Sequence, residues 1–336
     1  MKGAAYLAAR GFLGHLLEEL PGFMRLDDEL VGCWDPAAAG KGSAADTGAE
    51  AGAGIVPCRF DSPSPYWTRN VWLQPFLLEF DSISQAAKTL RSMQRNWAAY
   101  PTRLHRRMAL IAEALPPLPL KPKAFPFILP TSPMGSFTLL DEHLLLGSAV
   151  CSSPFPNGEF SFVEDKVGPP SRAYRKLWEA LLYAGRLPVP GERCLDAGAS
   201  PGGWTWALAS LGASVLAVDR APLEESVASM PGVRYMKHDA FTLRPDDLEP
   251  VDWLFSDVIC YPEALYDWIT ACRESGFAKN YICTIKMQGT SFDRTTTDKF
   301  AAIPGSKVIH LWHNRHELTW INTASCNAEG EAFGAG

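Results

Sequence analysis

The stretch Asp196-Ala197-Gly198-Ala199-Ser200-Pro201-Gly202-Gly203-Trp204 has the composition of a ligand-binding turn. It separates an apolar run, Arg193–Ala197, from an amphipathic one, Gly203–Leu211, which read as a buried strand and a helix. Glycines at such a junction let the backbone approach a ligand closely, and the helix start can receive an anionic group. Asp219 follows the next strand, Ser214–Val218, where a carboxylate can accept hydrogen bonds from ribose hydroxyls. A nicotinamide-binding turn would need the G-x-G-x-x-G spacing, which is absent. A merely glycine-rich turn is the plainer alternative, but the strand–loop–helix setting favours a cofactor.

Other chemistry-bearing residues are less persuasive. His310, His313 and His316 are spaced by three, so on a strand they alternate faces and cannot converge on one ion. The 8 scattered cysteines form no C-x-x-C pair, which argues against a structural zinc site and a disulfide framework and suits reduced thiols in a cytoplasmic protein. The opening Met1–Leu7 has a faint signal-peptide look, but Arg10 and His15 interrupt it, so export is not expected. No apolar run is long enough to span a bilayer.

The elements that must position the loop form a regular series. Ser171 is expected to cap a helix that buries Leu177, Leu181 and Ala184 and ends at Gly185. Then come strand Arg193–Ala197, helix Gly203–Leu211 and strands Ser214–Val218, Val233–Met236 and Val251–Ser256. Helix Glu263–Arg273 and strand Tyr281–Lys286 follow, and strands Lys307–Trp312 and Glu317–Asn322 close the series as an antiparallel hairpin. Alternating strands and helices imply an α/β fold with a parallel sheet.

Four further stretches, read with Asp196–Trp204, resemble the FtsJ-type 2′-O-ribose methyltransferases. They are Ser171-Arg172-Ala173-Tyr174-Arg175-Lys176-Leu177, Ser256-Asp257, Ile285-Lys286 and Asn314-Arg315-His316-Glu317-Leu318. The likeness covers about residues 165 to 322 and is strongest to members that modify a cytidine of large-subunit ribosomal RNA. It implies a Rossmann-like methyltransferase sheet and S-adenosylmethionine as cofactor. It also implies a catalytic set of Lys176, Asp257, Lys286 and Glu317. Cofactor contacts would come from Ser171, Ser200, Pro201, Gly202, Gly203, Trp204, Asp219, Asp257, and Asp239 at the adenine edge. In this scheme Lys286 is the base, made partly neutral by burial and by the neighbouring Lys176. Asp257 and Glu317 orient the lysines, and no metal is needed because the donor is already activated.

Two rivals compete with that reading. A cytosine C5-methyltransferase would use Cys260, three residues after Asp257, with Cys283 near a second cysteine position. No Pro precedes Cys260, however, and Trp204 stands where such enzymes carry Lys. A methyltransferase fold that only binds RNA is the non-enzymatic rival, against which the complete lysine–carboxylate set argues. Amino-methyltransferases need an Asn/Asp-Pro-Pro-aromatic stretch, which Asp257-Val258-Ile259-Cys260 is not.

At 336 residues the chain is long enough for two domains, expected at 1–164 and 165–336. The resemblance implies a THUMP-like RNA-binding region in the first, a smaller α+β domain that is shorter than usual and departs from the pattern. Residues 36–54, mostly Ala, Gly and Ser, are expected to be a flexible insertion. Short elements are expected at Tyr6–Arg10 (strand) and Gly14–Leu20 (helix). A helix should run from Ser82 to about Ala98, with Ile83, Ala87, Leu90 and Trp97 on one face. The net charge of −6 hides an uneven distribution: residues 82–112 carry Lys88, Arg91, Arg95, Arg103, Arg106 and Arg107 and no acid. That segment's +6 leaves −12 for the rest of the chain. These six residues are the expected ribosomal RNA contacts, with Trp97 and Tyr100 as candidate stacking surfaces.

Overall fold

The computed structural model describes residues 3–34, 55–57, 65–73, 75–118 and 120–323. The expected flexible insertion at 36–54 lies outside the described residues. The chain divides into two compact units, Met1–Pro122 with Leu129–Ser161, and Lys123–Ile128 with Phe162–Gly336. Among the described residues no helix is long and apolar enough to cross a membrane.

The second unit begins with helix α1, Tyr174–Ala184, of whose residues nine are buried. Gly185 ends it in the left-handed conformation at φ 68°. The expected cap is displaced: Ser171 Oγ accepts from Ala173 N within a preceding turn, and the helix starts at Tyr174 without a side-chain cap. There follow β1 (Arg193–Ala197), α2 (Gly203–Ser210), β2 (Ser214–Asp219), α3 (Glu225–Ala228) and β3 (Val233–Lys237). Then come β4 (Val251–Ser256), α4 (Pro262–Glu274), β5 (Ala278–Lys286), α5 (Arg294–Ala301), β6 (Ser306–Ile309) and β7 (Glu317–Asn322). The strands form one sheet in the order β3-β2-β1-β4-β5-β7-β6. Strands β1, β4 and β5 are near-continuous apolar runs because helices cover both faces of a parallel sheet. The order reverses between β1 and β4, the switch point at whose carboxyl edge an open α/β sheet places its ligand crevice. β7 returns antiparallel to β5, and its register sets Glu317 directly opposite Lys286. The expected closing hairpin is therefore present, although its first strand stops at Ile309.

In the first unit Gly3–Ala8 pairs with Leu30–Trp34 and Thr68–Trp72 in one sheet. A second sheet contains Pro75–Glu79, Leu144–Ser148, Gly135–Leu139 and Trp97–Ala99. The helix expected to reach Ala98 spans Ile83–Met93, capped by Ser82 Oγ accepting from Gln85 N. It ends early because Trp97–Ala99 pairs in parallel with Gly135–Phe137. The buried Trp97 indole then donates to the carbonyls of Leu90 and Gln94, occupying acceptors at the helix end. Ala86, Ala87 and Leu90 pack under this helix while Lys88, Arg91 and Arg95 stay exposed. Arg103 and Arg106 are also exposed, and Arg107 lies partly buried over the Phe80 ring. Trp97 offers no face to a nucleobase, and Tyr100 lies beneath Arg69 with its hydroxyl near Glu29.

Candidate active site

A cleft of about 420 Å³ opens at the carboxyl ends of β1, β2, β3 and β4. Its floor is the glycine-rich loop. Gly198 has φ 81°, and a Cβ there would come within 2.7 Å of Val258, so the loop after β1 lies directly against the loop after β4. A Cβ on Gly203 would strike the Ser171 hydroxyl, which brings the turn before α1 to the same wall. Bare backbone is required at both places for the two loops and the turn to meet.

Ser171, Ser200, Pro201, Gly203, Trp204, Asp219, Asp239 and Asp257 all line the cleft, whereas Gly202, at φ 114°, shapes the start of α2 behind it. Trp204 is buried, and its indole donates to Ala173 O, so it braces α2 against the turn before α1. Asp219 Oδ2 accepts from Ser200 N at 3.0 Å and Oδ1 from Ala221 N at 2.8 Å, which fixes its carboxylate at the rim with lone pairs to spare. Asp239 Oδ1 accepts from Phe241 N, and its Oδ2 is 3.8 Å from Arg220. Sequence reasoning missed Arg220, His238, Phe241 and Ile259, which also line the cleft. The available signal was their position beside acids at strand carboxyl ends. Asp196 was also missed as a ligand-facing group. It is buried at the cleft floor, with Oδ2 accepting from Thr205 Oγ1 at 2.6 Å and Oδ1 unpartnered.

At one side of the cleft the four residues implied as catalytic come together. Lys176, on α1, donates to Asp257 Oδ1 and Oδ2 at 2.8 and 2.7 Å and to Glu317 Oε1 at 3.0 Å. Lys286, at the end of β5, lies 3.1 Å from Asp257 Oδ1, so one carboxylate oxygen bridges both lysines. All four side chains are under one-fifth exposed, and two ammonium and two carboxylate groups balance. Burial alone would lower the Lys176 pKa, but the Asp257 and Glu317 carboxylates outweigh it and hold the group above its ordinary value. The expected neighbouring cation, Lys176, has its charge taken up by the two carboxylates expected to orient the lysines. Only Lys286 and Asp257 of the set reach the cleft lining.

The rival nucleophile is poorly placed. Burial pushes the Cys260 thiol up to about 11, against a smaller opposite pull from Lys286, so little thiolate exists at neutral pH. Cys283 is wholly buried and shifted well upward as well. The histidines diverge: His310 Nε2 is 2.9 Å from Arg315 O, while His313 Nδ1 is 2.7 Å from Glu179.

A seven-stranded Rossmann-like sheet with this cleft and side-chain cluster defines the class of FtsJ-like methyltransferases, and residues 169–273 match that family. Over 157 residues the chain is 36% identical to the Ribosomal RNA large subunit methyltransferase M of Halorhodospira halophila, covering 45% of this chain and 46% of that protein. The Thauera aminoaromatica protein of the same name is 34% identical over 165 residues, with 45% of each chain covered. That of Xanthomonas oryzae pv. oryzae is 30% identical over 254 residues, covering 70% of this chain and 68% of the relative. The chain belongs to the ribosomal RNA large subunit methyltransferase M family. The Halorhodospira and Thauera matches span a little under half the length of those proteins.

The family's cofactor is S-adenosylmethionine, and the cleft residues fit it. The unpartnered, buried Oδ1 of Asp196 suits a cationic ligand, Asp219 suits ribose hydroxyls, and the glycine loop leaves room for close approach. Asp219→Ala is expected to weaken S-adenosylmethionine binding at least about tenfold, since each charge-assisted hydrogen bond removed is worth roughly 1.5–3 kcal/mol. Calorimetric titration of the folded variant checks this; unchanged affinity would move the ribose elsewhere.

Proposed function

We propose that the protein methylates the 2′-hydroxyl of a ribose in large-subunit ribosomal RNA, at a cytidine, within the cytoplasm. The observation that carries this reading is the Lys176–Asp257–Lys286–Glu317 cluster, with Lys176 and Glu317 buried and Lys286 and Asp257 at the edge of the cofactor cleft. A ribose hydroxyl is a very weak acid, so its proton must leave as the new O–C bond forms. S-adenosylmethionine, when bound, supplies a methyl group on a sulfonium, and the electron pair of the broken S–C bond remains on sulfur.

The chain's own residues manage the proton. Lys286 Nζ, in its neutral form, accepts the proton from the hydroxyl oxygen. It has one carboxylate contact where Lys176 has three bonds to two carboxylates, so it is the lysine more readily released from its ion pair. Lys176 is the fixed cation that anchors Asp257 and Glu317, and Asp257 aims Lys286. Incubating unmodified large-subunit ribosomal RNA transcripts with the protein and labelled S-adenosylmethionine, then mapping 2′-O-methyl positions, tests the reading. Label found on a base, or no label on any ribose, would overturn it.

The N-terminal unit, in this reading, holds the RNA through the exposed basic stripe. Lys88→Glu, Arg91→Glu and Arg95→Glu together are expected to weaken RNA binding and to reduce its salt slope by about 0.7–0.9 for each phosphate no longer neutralised. Cofactor binding should be unaffected. A salt slope equal to that of the unaltered protein would make the stripe an ordinary solvated helix face.

A further inference from the structure

One buried acid takes no part in the proton transfer. Glu179 lies on α1, one turn beyond Lys176, and is 1% exposed. An ionised carboxylate so placed is costly unless fully hydrogen-bonded. Its partners all come from one short loop, the connection from β6 to β7: Trp312 N donates to Oε1 at 2.8 Å and His313 N to Oε2 at 3.0 Å. His313 Nδ1 lies 2.7 Å from Oε2, and because a carboxylate only accepts, this nitrogen carries the proton. The His313 ring also stacks on Phe162, with centroids 5.3 Å apart.

The same loop delivers Glu317. Its Oε1 accepts from Lys176 and, at 3.4 Å, from Arg315 N, while Asn314 Nδ2 donates to Glu317 O and Thr319 Oγ1. Helix α1 therefore grips the loop twice, through Lys176 on Glu317 and through Glu179 on residues 312 and 313. The first grip acts on a residue whose backbone, in β7, already pairs with Lys286 of β5, whereas α1 reaches the loop before it through the second. The second fixes its distance from the helix.

We propose that Glu179 is a positioning residue, which sets the separation of Lys176 and Glu317 by clamping the loop before β7 to α1. The proposal rests on the methyl-transfer reading for its kinetic effect, but its structural effect can be read without any substrate. Glu179→Gln preserves volume yet turns one acceptor oxygen into an amide that faces a backbone N–H. Its kcat on unmodified large-subunit ribosomal RNA transcripts is expected to fall at least about tenfold, while KM for RNA and the dissociation constant for S-adenosylhomocysteine stay within about twofold.

Because Glu179 acts through Glu317, the Glu179→Gln, Glu317→Gln double variant should be no slower than the worse single variant by more than about twofold. In lysine-labelled protein, the Lys176 ammonium should titrate at lower pH in both single variants than in the wild type. Should Glu179→Gln not fold, His313→Ala, which removes one of the three bonds, is expected to show a smaller kcat loss with the same non-additivity. Unchanged kcat in folded Glu179→Gln, or multiplying effects in the double variant, would overturn the clamp. If the wild type transfers no methyl group to RNA, the functional reading fails. The Lys176 titration then decides the clamp, and an unmoved Lys176 overturns it.

Discussion

Lys286→Ala is expected to lower kcat for methyl transfer by about 10²–10⁴-fold, the usual contribution of a positioned general base. Binding of S-adenosylmethionine and of RNA should persist, because the interaction removed is needed only in the transition state. Lys286→Arg should be as inactive as Lys286→Ala, since a guanidinium cannot be deprotonated in a protein. Retained activity in Lys286→Arg would reduce Lys286 to a source of positive charge. Cys260→Ala, by contrast, should remain near wild type, as its thiol is held largely protonated by burial. An inactive Cys260→Ala beside an active Lys286→Ala would show that a base is methylated through a covalent adduct. Single-turnover assays in excess enzyme, with cofactor affinity measured in parallel, separate these outcomes.

The second large effect concerns Asp196. Burial raises its carboxyl from the ordinary 3.8 to about 7, partly offset by the hydrogen bond from Thr205. Without cofactor the group is therefore neutral below about pH 7. A cationic ligand favours the ionised form, so binding below that pH must expel a proton. S-adenosylmethionine affinity is expected to rise by up to about tenfold per pH unit as the pH approaches 7, then to decline above about 8 as the ligand's α-amine loses its charge.

The apo protein shows the reverse dependence. A raised folded pKa contributes stability that is complete below about pH 4, the unfolded value, and is lost as the pH rises through about 7. Asp196→Asn should thus bind more weakly at pH 7, lose the steep dependence between pH 5 and 7, and melt higher than wild type at pH 8 without ligand. Calorimetry in buffers of differing ionisation enthalpy counts the proton released. A wild-type pH profile in Asp196→Asn would assign the titration to another group.

What the sequence disclosed follows from how local the responsible physics is. The parallel strands were legible because Arg193–Ala197 and Val251–Ser256 are apolar runs with glycine or polar breaks, and the glycine loop because backbone approach demands that composition. The helix ending at Met93 was read five residues too long, since its true end depends on Trp97 pairing with a strand nearly forty residues away. Helix α5, Arg-Thr-Thr-Thr-Asp-Lys-Phe-Ala, has too few apolar residues to mark a buried face and is fixed by Asp293 accepting from Thr296 N and by Phe300 in the core. Lys176 and Glu317 were visible only through family likeness. Their pairing joins a helix to a strand across 141 positions, and no spacing encodes it. Glu179 carried no signal at all, because a Glu on an apolar helix looks solvent-facing until its partners at 312 and 313 are known.

The path of residues 123–128 bears on how this protein can be divided. That segment belongs with the C-terminal unit although it is preceded and followed by residues of the other. Lys123 bridges in parallel to Phe162 and its carbonyl accepts from Val163 N, while Phe125 stacks flat on Trp178 with centroids 4.6 Å apart. Trp178 lies on α1 between Lys176 and Glu179. A fragment begun at residue 162 would thus bare the indole beside the lysine that anchors the carboxylates. Its helix would be loosened from the outside, with none of Lys176, Asp257, Lys286 and Glu317 removed. The C-terminal unit is not one continuous stretch of chain, so dissecting the transferase half requires carrying these six residues along, spliced or supplied as a peptide.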